Sequence, residues 1–424
     1  MIATRGLAPS RQVLANGLTV LAKQTRTTPA VTIHAGILAG TVYEPPGDAG
    51  VAHFLSRTID RGTVSHTADE IADELDRRGV TLAVTVNRHA VSLVCTCLIE
   101  DFDAILALLA EVITRPTFPA REVATRRGEI ITLIRQDEDN PASVASQALM
   151  KTLYGDEHPY GRAVRGTVDG VERIDPALLQ RFHGVRFIPA AMSLAFVGDI
   201  APDRAIALAE HAFGGWTGAP RHDPELSTPV PSSRRCVQVI PMMNKVQADV
   251  AYGFTTILRS DPRYYAYWLM NNILGQYSLG GRLGESIRER QGMAYYAFSS
   301  LDANVIPGPL MIRAGVNPTN VERAVASIDN ELTALAVEGP TDKELAESKQ
   351  YLIGSMPRNL ETNIGIANFL QTAEFFGLGL DYDQRLPDLL RAVTRDDVHA
   401  AARSVLDPSK AAIAVAGPYD GALQ

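Results

Sequence analysis

The chain has 424 residues, of which 46% are hydrophobic and 21% charged, and its formal net charge is −8 at pH 7. At roughly 150 residues per domain, this length predicts two or three globular domains with sizeable cores. The acidic balance argues against nucleic acid as the main partner. The absence of any run of about 18 apolar residues argues against a transmembrane helix and a membrane partner.

The start of the chain and its three cysteines bear on the compartment. Residues 1–10 lack the apolar stretch of a secretory signal. We therefore expect a cytoplasmic protein, or a periplasmic one whose signal has been removed. Cys95 and Cys97 are expected to point the same way from one strand, with Cys236 far along the chain. No disulfide framework is implied, and this fits a reducing compartment.

The first half of the chain alternates predicted strands and helices. Residues 11–22 predict a β-hairpin that turns at Asn16-Gly17. From hydrophobic periodicity and turn residues, further strands are predicted at 31–40, 80–86, 90–98 and 192–198, and helices at 67–78, 101–114 and 121–137.

The second half repeats this plan. Its closing strand, residues 411–417, ends at Gly417, which follows Gly198 by 219 residues (417 − 198). Pro119 and Pro340 each precede a charged helix and lie 221 residues apart (340 − 119). So steady an offset predicts a duplicated α+β unit.

A stretch rich in Pro, Ser and charge separates the two repeats. Residues 217–235 have the composition of a linker. We therefore predict an N-terminal unit at 1–216 and a C-terminal unit at 236–424, which are two α/β-sandwich units in tandem. Two units joined in this way could close on a substrate.

The residues around His53 form the most distinctive pattern of the first half. They predict a helix that begins after a Pro-Pro-Gly turn, has Asp48 as its N-cap and ends at Gly62. His53, Ser56 and Arg57 would share one helix face, with the spacing of the zinc motif H-x-x-E-H. Ser56, however, is too weak a base, and Arg57 has no lone pair for a metal.

The flanking segments 38–44, 50–55 and 61–63 resemble the region around the zinc-binding helix of the insulinase-like metallopeptidases, the family of pitrilysin and the mitochondrial processing peptidase. The resemblance implies a third zinc ligand, a Glu some seventy-odd residues further on, with an accessory Glu seven residues before it. It also implies that the two units together form half of a clamshell.

These two positions can be placed by aligning the segment 126–141 on its Gly and Pro residues. The ligand position then falls on Leu133 and the accessory position on Arg126, so both carboxylates are missing. Glu129 is the nearest acid, one turn before Leu133 on the same helix face. We expect Arg57 to pair with Glu129, because a buried cation needs a partner.

The segment from Gly281 to Tyr295 also resembles this family. It predicts a helix through Arg290 that ends at Gly292, with Tyr295 at the head of a strand. The resemblance implies that Arg288 and Tyr295 match an Arg/Tyr pair that reaches the scissile peptide of a zinc-bound substrate. Both side chains could donate hydrogen bonds to a carbonyl oxygen as it becomes an oxyanion.

Other candidates for chemistry are weaker. Five other histidines have no second histidine or cysteine at i+3 or i+4 and are expected to be ordinary surface residues: His34, His66, His89, His158 and His183. The glycine-rich segment 275–281 is not a phosphate loop, because no Lys-Ser/Thr follows it.

Three functions remain open from the sequence. In the first, the chain is one subunit of a heterodimeric metallopeptidase; it holds no cofactor and is inactive alone. A homologous partner holds the zinc, while Arg288 and Tyr295 of this chain contact the peptide substrate. The second is a catalytically inactive scaffold or peptide-binding subunit. The third, disfavoured by the missing ligands, is a homodimeric enzyme with another metal set. The retained Arg/Tyr pair favours the first.

Overall fold

Two β-sheets organise the part of the chain that the computed structural model describes, residues 6–275 and 280–422. The predicted glycine-rich segment therefore lies largely outside the described residues. The first sheet contains β1 (Ser10–Val13), β2 (Thr19–Gln24), β3 (Ala30–Ile37), β4 (Ala83–Val86), β5 (Val91–Leu98) and β6 (Met192–Gly198). The second contains β7 (Cys236–Pro241), β8 (Ala248–Thr255), β9 (Ala294–Leu301), β10 (Pro309–Val316) and β11 (Ala412–Gly417).

The two sheets share one topology. Their strand orders are β1-β2-β6-β3-β5-β4 and β7-β11-β8-β10-β9. In each sheet the last strand runs parallel to the first strand of the repeat, β2 or β7. The other neighbouring strands pair antiparallel. Apart from β1, the strands correspond one to one, and the predicted duplicated α+β fold is confirmed.

A glycine at the end of each closing strand shows the same correspondence. Gly198 and Gly417 have φ angles of 153° and 140°, a region that disfavours other residues. A Cβ atom at Gly198 would lie 2.1 Å from the carbonyl oxygen of Ala30, and one at Gly417 would lie 2.6 Å from the Cα atom of Ala248. The repeat offset seen in the sequence therefore reflects a shared steric requirement.

Helices cover the sheets in two compact units. The helices of the first unit, or mostly within it, are α1 (Val51–Ser56), α2 (Ala68–Asp76), α3 (Phe102–Thr114), α4 (Ala120–Glu138), α6 (Val168–Arg173), α7 (Pro176–Arg186), α8 (Pro202–Phe213) and α12 (Asn363–Phe375). Those of the second are α5 (Pro141–Tyr154), α9 (Tyr264–Gly275), a π-helix (Gly284–Arg290), α10 (Val321–Glu338), α11 (Asp342–Asn359), α13 (Tyr382–Ala392) and α14 (Arg395–Val405). None of the helices in the described ranges is long and apolar enough to cross a membrane.

One helix of each repeat packs on the sheet formed by the other repeat. Helix α5 packs against β8 and β11, and α12 packs against β3 and β6. The start of α12 follows the start of α5 by 222 residues (363 − 141), close to the repeat offset, so the two repeats exchange equivalent helices. The compact units are therefore discontinuous in sequence, unlike the linear division at 1–216 and 236–424. In the linker region, their boundary falls between Glu225 and Leu226.

Candidate functional site

Helix α1 carries the metal-motif positions, and it is shorter than the sequence predicted. It spans Val51–Ser56, and its N-cap is Gly50 at φ 98°, not Asp48. Glu44 makes the Asp48 cap unnecessary, because its Oε1 accepts hydrogen bonds from the N–H groups of Gly50 and Ala52, each at 3.0 Å. The predicted end at Gly62 is also wrong. Turns follow Ser56, where Thr58 donates its hydroxyl to a helix carbonyl.

Among the side chains at the motif positions, only that of His53 is of a type that commonly binds zinc. Ser56 is buried and donates its hydroxyl to the carbonyl oxygen of His53 at 2.7 Å. Leu133 lies half-buried on α4 and has no atom that binds a metal. Among the described residues, no group of three His, Cys, Asp or Glu side chains could hold a metal ion. These residues do not fit zinc, whose protein ligands are Cys, His, Asp and Glu.

An ionic cluster surrounds these positions. Arg57 Nη2 lies 3.9 Å from Glu129 Oε2, so the predicted contact is present, with the two side chains 42% and 41% exposed. A closer partner was missed: Arg126 Nη1 donates to the same oxygen at 2.6 Å. Arg126 and Glu129 are three residues apart on α4, a spacing that favours pairing. This spacing could have shown that Arg126 competes with Arg57 for Glu129.

Asp60 and Arg61 complete this cluster, and neither was singled out from the sequence. Arg61 Nε lies 3.2 Å from Asp60 Oδ1. Burial raises the pKa of Asp60, while the positive charges of Arg61, Arg57 and Arg126 partly oppose that shift. We call Arg57, Asp60, Arg61, Arg126 and Glu129 the arginine cluster.

The expectation that the five other histidines lie at the surface is wrong for three of them. His34, His89 and His158 are buried. Burial lowers the pKa of His34 and His89 to about 4, which keeps both rings neutral at pH 7. His89 and His158 each follow a charged residue in the sequence, which gave no signal of burial, whereas the apolar neighbours of His34, Ile33 and Ala35, could have indicated it.

Arg288 lies on a π-helix, Gly284–Arg290, where the sequence predicted a regular helix. After the π-helix, the N–H of Met293 donates a hydrogen bond to the carbonyl oxygen of Ile287 at 3.1 Å. The segment ends as predicted near Gly292, whose φ is 60°. Single π-turns are frequent at functional sites. Arg288 is half-buried, and its Nε lies 3.7 Å from Glu289 Oε1, which is an ion pair beyond hydrogen-bond length.

Tyr295 is the extra residue of a β-bulge near the start of β9. Tyr296 pairs with Gly315 and Ala294 pairs with Val316, so Tyr295 has no residue opposite it on β10. Its side chain is 73% exposed. Bulges re-aim single side chains and are common beside active sites. The predicted place at the head of a strand is confirmed, and the bulge accounts for the outward direction of the phenol.

The neighbouring Tyr296 anchors this bulge. Its hydroxyl donates to the carboxylate of Asp249, which is only 3% exposed and also accepts from Gln247 Nε2. Burial, followed by this bond, raises the pKa of Tyr296. A Cβ atom at Gly315 would lie 2.6 Å from the Tyr296 ring, so glycine is needed opposite it. The hydrogen bond from Tyr296 to Asp249 and the close fit at Gly315 therefore fix the register of β9, and with it the direction of Tyr295.

The second unit therefore presents two hydrogen-bond donors on neighbouring elements. The π-helix that carries Arg288 packs against β9, which carries Tyr295. A guanidinium and a phenol can both donate to a carbonyl oxygen and stabilise negative charge that develops on it. By itself this pair supplies neither a nucleophile nor a metal.

Comparison with known proteins gives matches over nearly the whole chain. The family model described as Insulinase (Peptidase family M16) matches residues 19–168, and that described as Peptidase M16 inactive domain matches residues 173–352. Uncharacterized zinc proteases of Streptomyces coelicolor and Mycobacterium leprae are 26% and 28% identical to this chain; the matches cover 96% and 98% of it and 89% and 93% of those proteins.

Two solved structures share the fold. A peptidase M16 inactive domain from Pseudomonas fluorescens has a TM-score of 0.90 at 26% identity, over 99% of each chain. A protease from Helicobacter pylori has a TM-score of 0.91 at 18% identity, over 98% of this chain and 100% of that one, which shows the fold alone. With both halves matched by models of one family, and with relatives of that family along its length, this chain belongs to the insulinase-like peptidases, family M16.

Proposed function

We propose that this chain is the non-zinc subunit of a heteromeric metallopeptidase. A separate, homologous polypeptide with an intact H-x-x-E-H motif would hold the zinc, and this chain would contribute Arg288 and Tyr295 to the bound peptide. The observation that carries the proposal is an asymmetry between the two units. The donor pair is retained and Tyr295 is presented outward, whereas Ser56, Arg57 and Leu133 stand at the zinc-motif positions.

In this role the two side chains act on the carbonyl oxygen of the scissile peptide bond. Tyr295 donates its hydroxyl and Arg288 its guanidinium N–H groups, so both interactions strengthen as the oxygen gains negative charge. A single donor of this kind is typically worth about 10²–10³ in turnover. This chain alone would then bind peptide without cleaving it.

The second candidate is a scaffold or peptide-binding subunit with no part in catalysis. The bulge at Tyr295 weighs against it. An exposed phenol adds little to stability, yet this one is held outward by a bulge whose next residue is tied to the buried Asp249. A homodimeric enzyme with another metal set is disfavoured, because no such set is found among residues 6–275 and 280–422.

Copurification tests the proposal. The chain, tagged at its own locus, should bring down a homologue that carries H-x-x-E-H and the later Glu. The complex should contain about one zinc for each pair of subunits and hydrolyse a quenched fluorescent peptide. Neither subunit should do so alone. Zinc-dependent hydrolysis by this chain alone, or a complex whose partner also lacks the motif, would overturn the proposal.

A further inference from the structure

The arginine cluster of the first unit carries more positive than negative groups. Three guanidinium groups (Arg57, Arg61 and Arg126) face two carboxyl groups (Asp60 and Glu129). Arg57, Asp60 and Arg61 lie in the turns that follow α1, whereas Arg126 and Glu129 lie on α4. All five are within one compact unit. Clusters with such an excess attract anions.

The three arginines of the cluster differ in how closely they approach a carboxylate. Arg61 lies against Asp60, and Arg126 hydrogen-bonds Glu129 at 2.6 Å. Arg57 reaches the same oxygen of Glu129 only at 3.9 Å, which is too long for a hydrogen bond, and its side chain is 42% exposed. Its guanidinium is thus held beside a carboxylate that another arginine already occupies.

We propose that Arg57, with Arg126 beside it, binds a carboxylate group of a peptide at the place where the zinc motif lies in related sequences. The planar fork of a guanidinium matches the two oxygens of a carboxylate. Glu129 already shows that a carboxylate fits between these two arginines. The C-terminus or an acidic side chain of a peptide would compete with Glu129 for them.

This site goes beyond the proposed action of Arg288 and Tyr295. A subunit that only binds peptide would hold the same carboxylate, so the site survives if the half-enzyme proposal fails. Conversely, if the carboxylate site is disproved, the half-enzyme proposal is still tested separately by peptide hydrolysis with the complex.

Fluorescence anisotropy with three dye-labelled pentapeptides tests the site on the purified full chain. One peptide ends in a free carboxylate, the second is its amide, and the third is the amide with one internal Glu. At least one carboxylate peptide should bind about tenfold more tightly than the plain amide, because a charge-assisted pair is gained. A preference for the first identifies a C-terminus, and a preference for the third identifies an acidic side chain.

Two variants act in opposite directions. Arg57→Gln should abolish the preference for a carboxylate, whereas Glu129→Gln should increase it, since it removes the competing carboxylate. A gain of binding cannot arise from misfolding. Arg204 and Asp103 form an exposed ion pair at 3.2 Å in the same unit, so Arg204→Gln and Asp103→Asn are matched controls without effect. Equal binding of all three peptides, or no gain with Glu129→Gln, would overturn the site.

Discussion

Replacing Tyr296 by Phe should destabilise the second unit, whereas the same change at the adjacent Tyr295 should not. The Tyr296 hydroxyl donates to Asp249, a carboxylate that is only 3% exposed. Loss of a hydrogen bond to a charged group costs about 1.5–3 kcal/mol. Gln247 remains as a donor at 3.0 Å, which places the expected loss in the lower part of that range. Tyr295 is 73% exposed, so its hydroxyl should change the free energy of unfolding by less than about 0.5 kcal/mol.

Urea unfolding followed by the fluorescence of Trp268 measures this difference. Trp268 lies on α9, which packs against β9 in the second unit. Trp216 lies in the first unit and can be replaced by Phe in every variant, so that the fluorescence reports on the second unit alone. With a slope of about 2 kcal/mol per molar urea, Tyr296→Phe should lower the midpoint by roughly 1 M. Equal midpoints for the two variants would refute the view that Asp249 anchors the bulge.

Three further outcomes are expected. Burial lowers the pKa of three first-unit histidines to about 4: His34, His89 and His183. Their contribution to stability is complete above pH 6.5 and is lost as the pH falls toward 4, so Trp216 fluorescence should report about 2 kcal/mol lower stability per histidine at pH 5 than at pH 7. In urea unfolding followed by the fluorescence of Trp216, which lies in the first unit, Gly198→Ala should destabilise by more than about 2 kcal/mol, because its Cβ would meet a carbonyl oxygen. Gly184→Ala, with open space on α7, should stabilise slightly in that assay. A zinc assay should find no stoichiometric metal in the purified chain but about one equivalent after Ser56→Glu, Arg57→His and Leu133→Glu together.

Local sequence signals predicted much of the fold. The Asn16-Gly17 turn joins β1 and β2, with Gly17 at φ 92°, because few other residues accept that conformation. Cys95 and Cys97 both point into the core from β5, as strand alternation requires. Gly198 and Gly417 revealed the repeat because each lies against the backbone at the start of the equivalent neighbouring strand, β3 or β8.

Long-range packing was beyond these signals. The exchange of α5 and α12 joins elements far apart in the chain, and amphipathic periodicity does not say which sheet a helix covers. The bulge at Tyr295 depends on a register that Asp249 fixes from another strand. Likewise, Glu44 caps α1 through a side chain six residues before Gly50, outside the usual capping positions.

The action of Arg288 and Tyr295 on a partner's substrate is measured most directly by peptide hydrolysis in the reconstituted complex. Tyr295→Phe should lower turnover about 10²–10³-fold while leaving subunit association unchanged, since it removes one hydroxyl. Arg288→Ala should do likewise with some loss of substrate binding. Arg290→Ala is the matched control, because Arg290 lies on the same π-helix, is 62% exposed and lies 3.8 Å from its acidic partners. Normal hydrolysis by the complex that carries Tyr295→Phe would contradict the half-enzyme proposal.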